Sequence, residues 1–225
     1  KGYEIHFITF NQPVKLELLS NKVHYHEVMV PDYPLFHYQP YELALSTKVV
    51  DMVKKHEIEL LHVHYAIPHA YAAYMAKNML KYEGINIPVV TTLHGTDITL
   101  VGSHPSYKAA VEFSINKSDA VTAVSESLKR DTEELFSIDT NIEVIPNFIN
   151  LEKYPLERKE KTRSIVAEND EKVICHISNF REVKRIDDVI NIFHNINKKI
   201  PSKLMMVGEG PEKANAEKLC KKLKI

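Results

Sequence analysis

Short apolar runs rich in β-branched residues alternate with helical patterns along this chain. In the first 150 residues these runs predict strands at 4–9, 23–30, 60–64, 89–93, 120–124 and 142–145. Apolar residues at helical spacing predict helices at 41–56, 68–81 and 105–117. Repeated β-α-β units form largely parallel sheets, because each crossover returns the chain to the same sheet. The alternation therefore predicts an α/β fold.

The pattern stops between residues 151 and 172, where charged residues dominate, and then resumes with strands at 173–177 and 203–207 and helices at 186–199 and 212–223. We therefore expect a first Rossmann-like domain at 1–150, a linker or exposed helical connection at 151–172, and the start of a second such domain at 173–225. The chain is expected to be a fragment with both domains incomplete, the first lacking its first strand, loop and helix.

Charge separates the two halves of the chain. Residues 1–150 contain 12 Lys/Arg and 18 Asp/Glu, a net charge of −6, whereas residues 151–225 contain 17 and 12, a net charge of +5. The second half is thus suited to an anionic ligand. The sequence has no basic stripe interleaved with aromatic residues, the pattern that would indicate nucleic-acid binding. A homo-oligomer is left open.

Cysteine content and hydropathy bear on the compartment. Cys175 and Cys220 have no metal-ligand spacing, and both are expected to be buried, reduced thiols. No apolar run approaches the roughly 20 residues of a membrane span, and no signal peptide is evident, so a cytoplasmic protein without an integral membrane segment is expected.

A basic loop follows the predicted strand 173–177. It begins at Ser178 and contains Arg181, Lys184 and Arg185 immediately before a helix. Ligands of open α/β sheets bind outside the carboxyl ends of strands, where a helix N-terminus adds free N–H groups. The loop is a candidate diphosphate site, although a solvated charged loop would have the same composition.

Three further loops end predicted strands. His94, Gly95, Thr96 and Asp97 follow 89–93 and could face a ligand or only cap the strand. Asn147 follows 142–145 in what could be a plain hinge. Gly208 and Gly210 follow 203–207, where a ligand could approach backbone N–H groups or a simple turn could require them.

The ordered set of these loops resembles the family 4 retaining glycosyltransferases, enzymes of the GT-B class with two Rossmann-like domains facing a cleft. The resemblance spans nearly the whole chain and is carried by residues 60–70, 91–99, 117–125 and 177–185. It implies that Arg181 and Lys184 hold the donor diphosphate and that His94 touches the donor sugar or reaction centre. It also implies substrate-binding roles for a second set of residues: Tyr65, Thr96, Asp97, Asn147, Ser178, Gly208 and Gly210.

Within the family, the resemblance implies transfer of N-acetylglucosamine from UDP-N-acetylglucosamine to the hydroxyl of L-malate, a step of bacillithiol biosynthesis, without a cofactor or metal. One departure affects Arg181. Many relatives place the arginine five residues before the lysine, where this chain has Asn179. The family's glycine-rich first loop and its Glu-x7-Glu motif are absent from this sequence.

Three alternatives stay open. One is a family 4 transferase with another sugar acceptor. Another is a metal-dependent hydrolase, because His62 and His64 would point to one face of a strand with His69 and His94 nearby in sequence. The last is a sugar-nucleotide-binding module without catalysis, which fold alone does not exclude.

Overall fold

The computed structural model describes residues 2–12, 21–32, 39–153, 160–168 and 170–225. Within it the chain divides into two compact units, 1–149 and 150–225. Among its described residues, the first unit contains these strands and α-helices: β1 (Ile5–Thr9), β2 (Val23–Glu27), α1 (Tyr41–His56), β3 (Leu61–His64), α2 (Tyr71–Tyr82), β4 (Val89–Leu93), α3 (Pro105–Asn116), β5 (Ala120–Ala123), α4 (Glu126–Leu135) and β6 (Ile142–Val144). Short irregular helical turns follow β3 and β4, at Ala66–Ala70 and Thr96–Leu100.

Every described strand pair in the first unit is parallel. Strand β1 pairs with β2, and a second sheet has the order β3-β4-β5-β6. Because parallel strands end at the same edge of a sheet, the loops after β3 and β4 lie side by side. The predicted α/β class is therefore confirmed for this unit.

Apolar faces of the helices form the core, as the periodicity predicts. Helix α1 buries Leu45, Val49, Val50 and Val53 against α2 and the adjoining strands, and Leu80 and Val89 belong to the same cluster. A neighbouring cluster is formed by Leu93, Ile98, Ile115, Val121 and Ile142. These two clusters support the edge that carries the candidate site.

The second unit contains α5 (Glu160–Val166), β7 (Lys172–Ile177), α6 (Ile186–Asn197), β8 (Ser202–Val207) and α7 (Lys213–Leu223). Strands β7 and β8 are parallel, and Phe180, Ile186, Ile190 and Ala216 form the core. The helix α5 lies in the predicted linker, of which residues 154–159 and 169 fall outside the described part of the chain. The assignment of domain roles and boundaries stays a prediction.

The expected burial of Cys175 is wrong. Cys175 is exposed, whereas Cys220 is partly buried. Alternate residues of a strand lie on the same face, and in β7 both Cys175 and Ile177 are exposed. Among the residues described, no helix is both long and apolar enough to span a bilayer.

Candidate functional site

Two histidines meet at the carboxyl edge of the four-stranded sheet. His64 is the last residue of β3, and His94 is the first residue after β4. Nδ1 of His64 lies 2.8 Å from Nε2 of His94, and their ring centroids are 5.0 Å apart. One ring must donate and the other accept, because two N–H groups would repel. Burial first, and then the neighbouring rings of His62, His94 and His69, lowers the pKa of His64.

Tyr65 continues the chain from His64 in an unusual backbone conformation. Its φ is +77°, which is rare for a bulky residue and costs about 1–3 kcal/mol. The backbone N–H of Tyr65 still donates to the carbonyl oxygen of Thr92 at 2.9 Å. The conformation brings its ring centroid to 5.0 Å from that of His94 and 6.1 Å from that of His69. Strained residues of this kind cluster at functional sites.

Asp97 supports this edge from inside the protein. The residue is only 3% exposed. Its Oδ2 accepts a hydrogen bond from the backbone N–H of Ala66 at 2.9 Å, and its Oδ1 accepts from those of His94 and Gly95 at 3.2 and 3.0 Å. The carboxylate therefore ties the loop after β3 to the loop after β4. With both oxygens so occupied, Asp97 is better suited to positioning His94 than to contacting a substrate.

The four histidines weighed as metal ligands have other partners. Nε2 of His62 lies 2.8 Å from the Thr92 hydroxyl, whose oxygen is 2.8 Å from that of Thr122. Nδ1 of His69 donates to the carbonyl oxygen of His64 at 2.6 Å, and its Nε2 lies 3.4 Å from the Tyr41 hydroxyl. Within the described residues, the compact groups of potential ligands lie elsewhere, around His6. This geometry disfavours the hydrolase alternative.

The remaining predicted residues of the first unit lie on the same edge. Thr96 is exposed and begins an irregular helical turn, Thr96–Leu100. Gly95 precedes it with a φ of +114°, which a residue with a side chain rarely adopts. Asn147 is exposed after β6, two strands away from β4 in the sheet order. The structure therefore brings Tyr65, Thr96 and His94 together, and places Asn147 further along the edge.

The basic loop of the second unit follows β7 as predicted. Arg181 is exposed immediately before a short 3-10 turn, Glu182–Lys184, and Lys184 is the exposed last residue of that turn. Arg185 adopts a left-handed conformation at the start of α6 and pairs with Asp188. Neither Arg181 nor Lys184 forms an ion pair with any residue in the described part of the chain. These two cations are thus open to an anion, whereas Arg185 has an internal partner.

Gly208 and Gly210 pack against the loop that begins at Ser178. A Cβ atom on Gly208 would lie 1.8 Å from the carbonyl oxygen of Ser178, and one on Gly210 would lie 2.4 Å from that of Phe180. The backbone N–H of Phe180 donates to the carbonyl of Glu209 at 2.8 Å. The hydroxyl of Ser178 lies 2.8 Å from Nε2 of His176. Close approach of the two loops is sufficient to require both glycines, and their predicted role in substrate binding stays a prediction.

Phe180 is a residue of this site that the sequence analysis missed. It is 4% exposed, and both of its backbone polar groups are bonded to the loop after β8: its carbonyl accepts from the N–H of Glu212 at 3.0 Å. A lone aromatic residue inside a charged loop was the available signal, because such a side chain in a solvated loop would be unfavourably exposed. Its burial fixes the backbone that presents Arg181 and Lys184.

Two family models match this chain. The one described as Glycosyltransferase Family 4 matches residues 1–153, and the one described as Glycosyl transferases group 1 matches residues 157–225. The chain belongs to glycosyltransferase family 4. The resemblance in the sequence is thereby confirmed.

Among curated proteins, the chain is 43% identical over 226 aligned positions to N-acetyl-alpha-D-glucosaminyl L-malate synthase of Bacillus anthracis, covering 100% of this chain and 58% of that protein. It is 24% identical to the putative teichuronic acid biosynthesis glycosyltransferase TuaC of Bacillus subtilis, covering 78% and 44%. The chain thus spans little more than half the length of the first of these relatives.

Solved structures support the fold class. HepE of Anabaena, in complex with UDP and glucose, matches with a TM-score of 0.72 at 17% identity, covering 97% of this chain and 58% of that one. Sucrose-phosphate synthase of Thermosynechococcus elongatus matches with a TM-score of 0.70 at 15% identity, covering 99% and 58%. The predicted GT-B type of α/β fold is confirmed.

Proposed function

We propose that this chain is part of a retaining glycosyltransferase that moves N-acetylglucosamine from UDP-N-acetylglucosamine to the hydroxyl of L-malate, a step of bacillithiol biosynthesis in the cytoplasm. The observation that carries the proposal is the 43% identity, across the whole chain, to a Bacillus anthracis protein whose name states that sugar and that acid. The 24% identity to TuaC supports only the broader family.

The basic loop of the second unit suits the donor diphosphate. Arg181 and Lys184 are exposed cations without an internal partner among the described ion pairs, at the carboxyl end of β7 where ligands of parallel sheets bind. Bond cleavage leaves negative charge on the departing UDP. Fixed cations that face this charge lower the barrier, because they stabilise the transition state more than the ground state.

The first unit would supply the groups that face the transferred sugar and the acceptor. His94 is held by His64, and its loop is anchored by Asp97. Tyr65 and Thr96 lie beside it, and Asn147 lies further along the same edge. We assign His94 to the donor sugar or reaction centre, and Tyr65, Thr96 and Asn147 to the acceptor side.

The chemistry exchanges one bond for another. The bond from the anomeric carbon to the UDP oxygen breaks, and a bond from that carbon to the malate hydroxyl oxygen forms. Retention requires the hydroxyl to approach the face from which UDP departs. The leaving phosphate oxygen then lies beside the hydroxyl and can accept its proton, so no pair of enzyme carboxylates is needed, in contrast to most glycoside hydrolases.

The decisive experiment supplies UDP-N-acetylglucosamine to the full-length protein with L-malate, with other hydroxy acids, with inositol phosphate and with sugar acceptors, and measures UDP release and the product mass. Malate should be glycosylated with the highest kcat/KM. Transfer to a sugar with no transfer to malate would keep the family and reject the proposed acceptor. Hydrolysis without transfer to any acceptor would reject the synthetic role.

A further inference from the structure

A group of histidines lies far from the basic loop in sequence, on the two-stranded sheet of the first unit. His6 is on β1, and His24 and His26 are on β2, where the register pairs His6 with His24. Because side chains of a strand alternate between faces, His24 and His26 share one face. The ring of His6 stacks on those of His24 and His26, with centroids 4.7 and 5.1 Å apart.

The last residue of α1 completes the group. The ring centroid of His56 lies 4.6 Å from that of His6 and 5.2 Å from that of His26. Helix α1 therefore ends beside the face of the two-stranded sheet that carries these rings. The negative end of the helix dipole is also there, and it favours a bound cation.

The nitrogen atoms of this group are arranged as ligands. Nδ1 of His6 lies 2.8 Å from Nε2 of His26, and the side chain of His6 is only 5% exposed. Nε2 of His56 is buried and has no hydrogen-bond partner among the described residues. Buried polar atoms are almost always satisfied, and an ion is one of the few explanations for an exception. The three histidines present ligand atoms that all lie within 4.8 Å of one another.

The carboxylate of Glu4 lies beside the ring of His6. Oε1 of Glu4 is 3.4 Å from Nε2 of His6 and 2.8 Å from Nε2 of His24. Histidines that bind metal ions commonly donate their second N–H to a carboxylate, which fixes the tautomer and the ring orientation. An interaction of Glu4 with Nε2 of His6 leaves Nδ1 of that ring free to bind a metal.

We infer that Nδ1 of His6, Nε2 of His26 and Nε2 of His56 form a binding site for one divalent transition metal ion, of which Zn²⁺ fits best. Three imidazole ligands with a fourth position for water or a further residue match the preference of Zn²⁺. At bond lengths of about 2.0–2.1 Å, tetrahedral ligand nitrogens stand roughly 3.3 Å apart. The nitrogens of His6 and His26, now 2.8 Å apart, need to separate slightly, and that of His56 already lies within 4.8 Å of both. Hard cations such as Mg²⁺ prefer oxygen ligands.

Such an ion would join three segments that are distant in sequence, β1, β2 and the end of α1. Its ligands belong to the two-stranded sheet and the end of α1, whereas the residues assigned to the transfer chemistry follow strands of the other two sheets. The site therefore acts on the stability of the first unit, independently of the proposed substrates. A substitution of one of these ligands is expected to weaken metal binding while the transfer reaction is retained.

The test uses the full-length protein with any affinity tag removed, stripped with a chelator and titrated with ZnCl₂ against a chromophoric zinc indicator. Wild type should bind one Zn²⁺ per chain, and its melting temperature should rise with Zn²⁺ but not with Mg²⁺. His56→Gln and His26→Gln should weaken binding by about 100-fold or more, and Glu4→Gln by about 10- to 100-fold. His104→Gln, an exposed histidine elsewhere in the unit, is the matched control and should bind as wild type.

A second readout needs no variant. Co²⁺ in place of Zn²⁺ gives visible absorption whose intensity distinguishes a tetrahedral nitrogen-rich site from a six-coordinate surface ion. Intense tetrahedral bands that Zn²⁺ displaces at one equivalent would support the site. Failure of wild type to bind Zn²⁺, or equal binding by wild type and folded His56→Gln protein, would overturn it.

Discussion

Nδ1 of His64 is hydrogen-bonded to Nε2 of His94 across neighbouring strands, at a distance of 2.8 Å. The histidine proposed to face the reacting sugar is thus oriented by another histidine, and its loop is held by the buried carboxylate of Asp97. A residue whose ring and backbone are both held in place needs less reorganisation when the transition state forms.

Removal of this orientation should lower turnover. We expect His94→Ala to decrease kcat with little change in UDP affinity, because the diphosphate is assigned to the other unit. His64→Ala should have a smaller effect of the same kind. In the double variant the two losses should be less than additive, as they are for residues in contact. His94→Ala combined with His194→Ala, a residue of α6, is the additive control. A collapse of UDP binding in folded His94→Ala protein would contradict the assignment.

The cations after β7 should differ in their importance. Lys184→Ala should lower kcat/KM for UDP-N-acetylglucosamine by about tenfold to over a hundredfold, the usual loss when a charge-assisted hydrogen bond is removed. Arg185→Ala should have a much smaller effect, because Arg185 already pairs with Asp188. Steady-state kinetics and UDP binding measure both variants. Equal kinetics for Lys184→Ala and wild type would remove Lys184 from the diphosphate site.

Stability should depend on the protonation of His64. Burial and neighbouring rings lower its pKa in the folded chain, so below the ordinary histidine pKa of about 6.5 the unfolded chain binds more protons. This contribution to stability is complete above that pH and decreases as the pH falls. The free energy of unfolding, measured by denaturant titration, should therefore fall more steeply below pH 6.5 for wild type than for His64→Gln. Identical slopes for wild type and His64→Gln would contradict the prediction.

The glycines after β8 should be required for folding. Gly208→Ala places a Cβ atom 1.8 Å from the carbonyl oxygen of Ser178, a clash with backbone that cannot rotate away. Gly84→Ala is the matched control, because Gly84 also has a positive φ but has no atom within 4 Å of the added Cβ. We expect Gly208→Ala to lower the free energy of unfolding by about 1–3 kcal/mol more than the control does, as overpacking typically does. Denaturant titration measures the difference.

Asp97→Asn should test whether this residue positions the loop. The amide replaces one accepting oxygen with an N–H₂ group that faces a backbone donor. The free energy of unfolding should fall by about 1–3 kcal/mol, the penalty of a buried group left unsatisfied. Asp51→Asn on the exposed side of α1 should leave stability within about 0.5 kcal/mol of wild type. An unchanged unfolding midpoint for Asp97→Asn would argue against the positioning role.

Periodicity predicted most of the fold because the apolar faces are large. In α1 the expected face of Leu45, Val49 and Val53 is the buried one. Helix α4 was not predicted, because its sequence is highly polar and buries only Leu128 and Thr132. Its signal was local: the Ser125 hydroxyl accepts from the backbone N–H of Leu128 at 3.1 Å, as an N-cap does.

The candidate site was predicted only in part. His94 and Lys184 were predicted as site residues because each lies in a loop that follows a strand, and ligands bind at the carboxyl edge of a parallel sheet. Spacing could not reveal that Asp97 faces inward or that the glycines meet Phe180, because both depend on contacts between loops. The cluster around His6 combines residues up to 50 positions apart, and only the alternation of His24 and His26 on one strand hinted at it.

The close contact between the loops after β7 and β8 limits which positions of the second loop can be changed by engineering. Positions 208 and 210 admit no side chain, whereas Glu209 between them is 79% exposed at its side chain and contacts only Lys213 among the described salt bridges. A library randomised at 209 should consequently yield folded protein far more often than one randomised at either neighbouring glycine. Within the stretch 208–210, sequence diversity is therefore confined to the one residue that carries an outward-facing side chain.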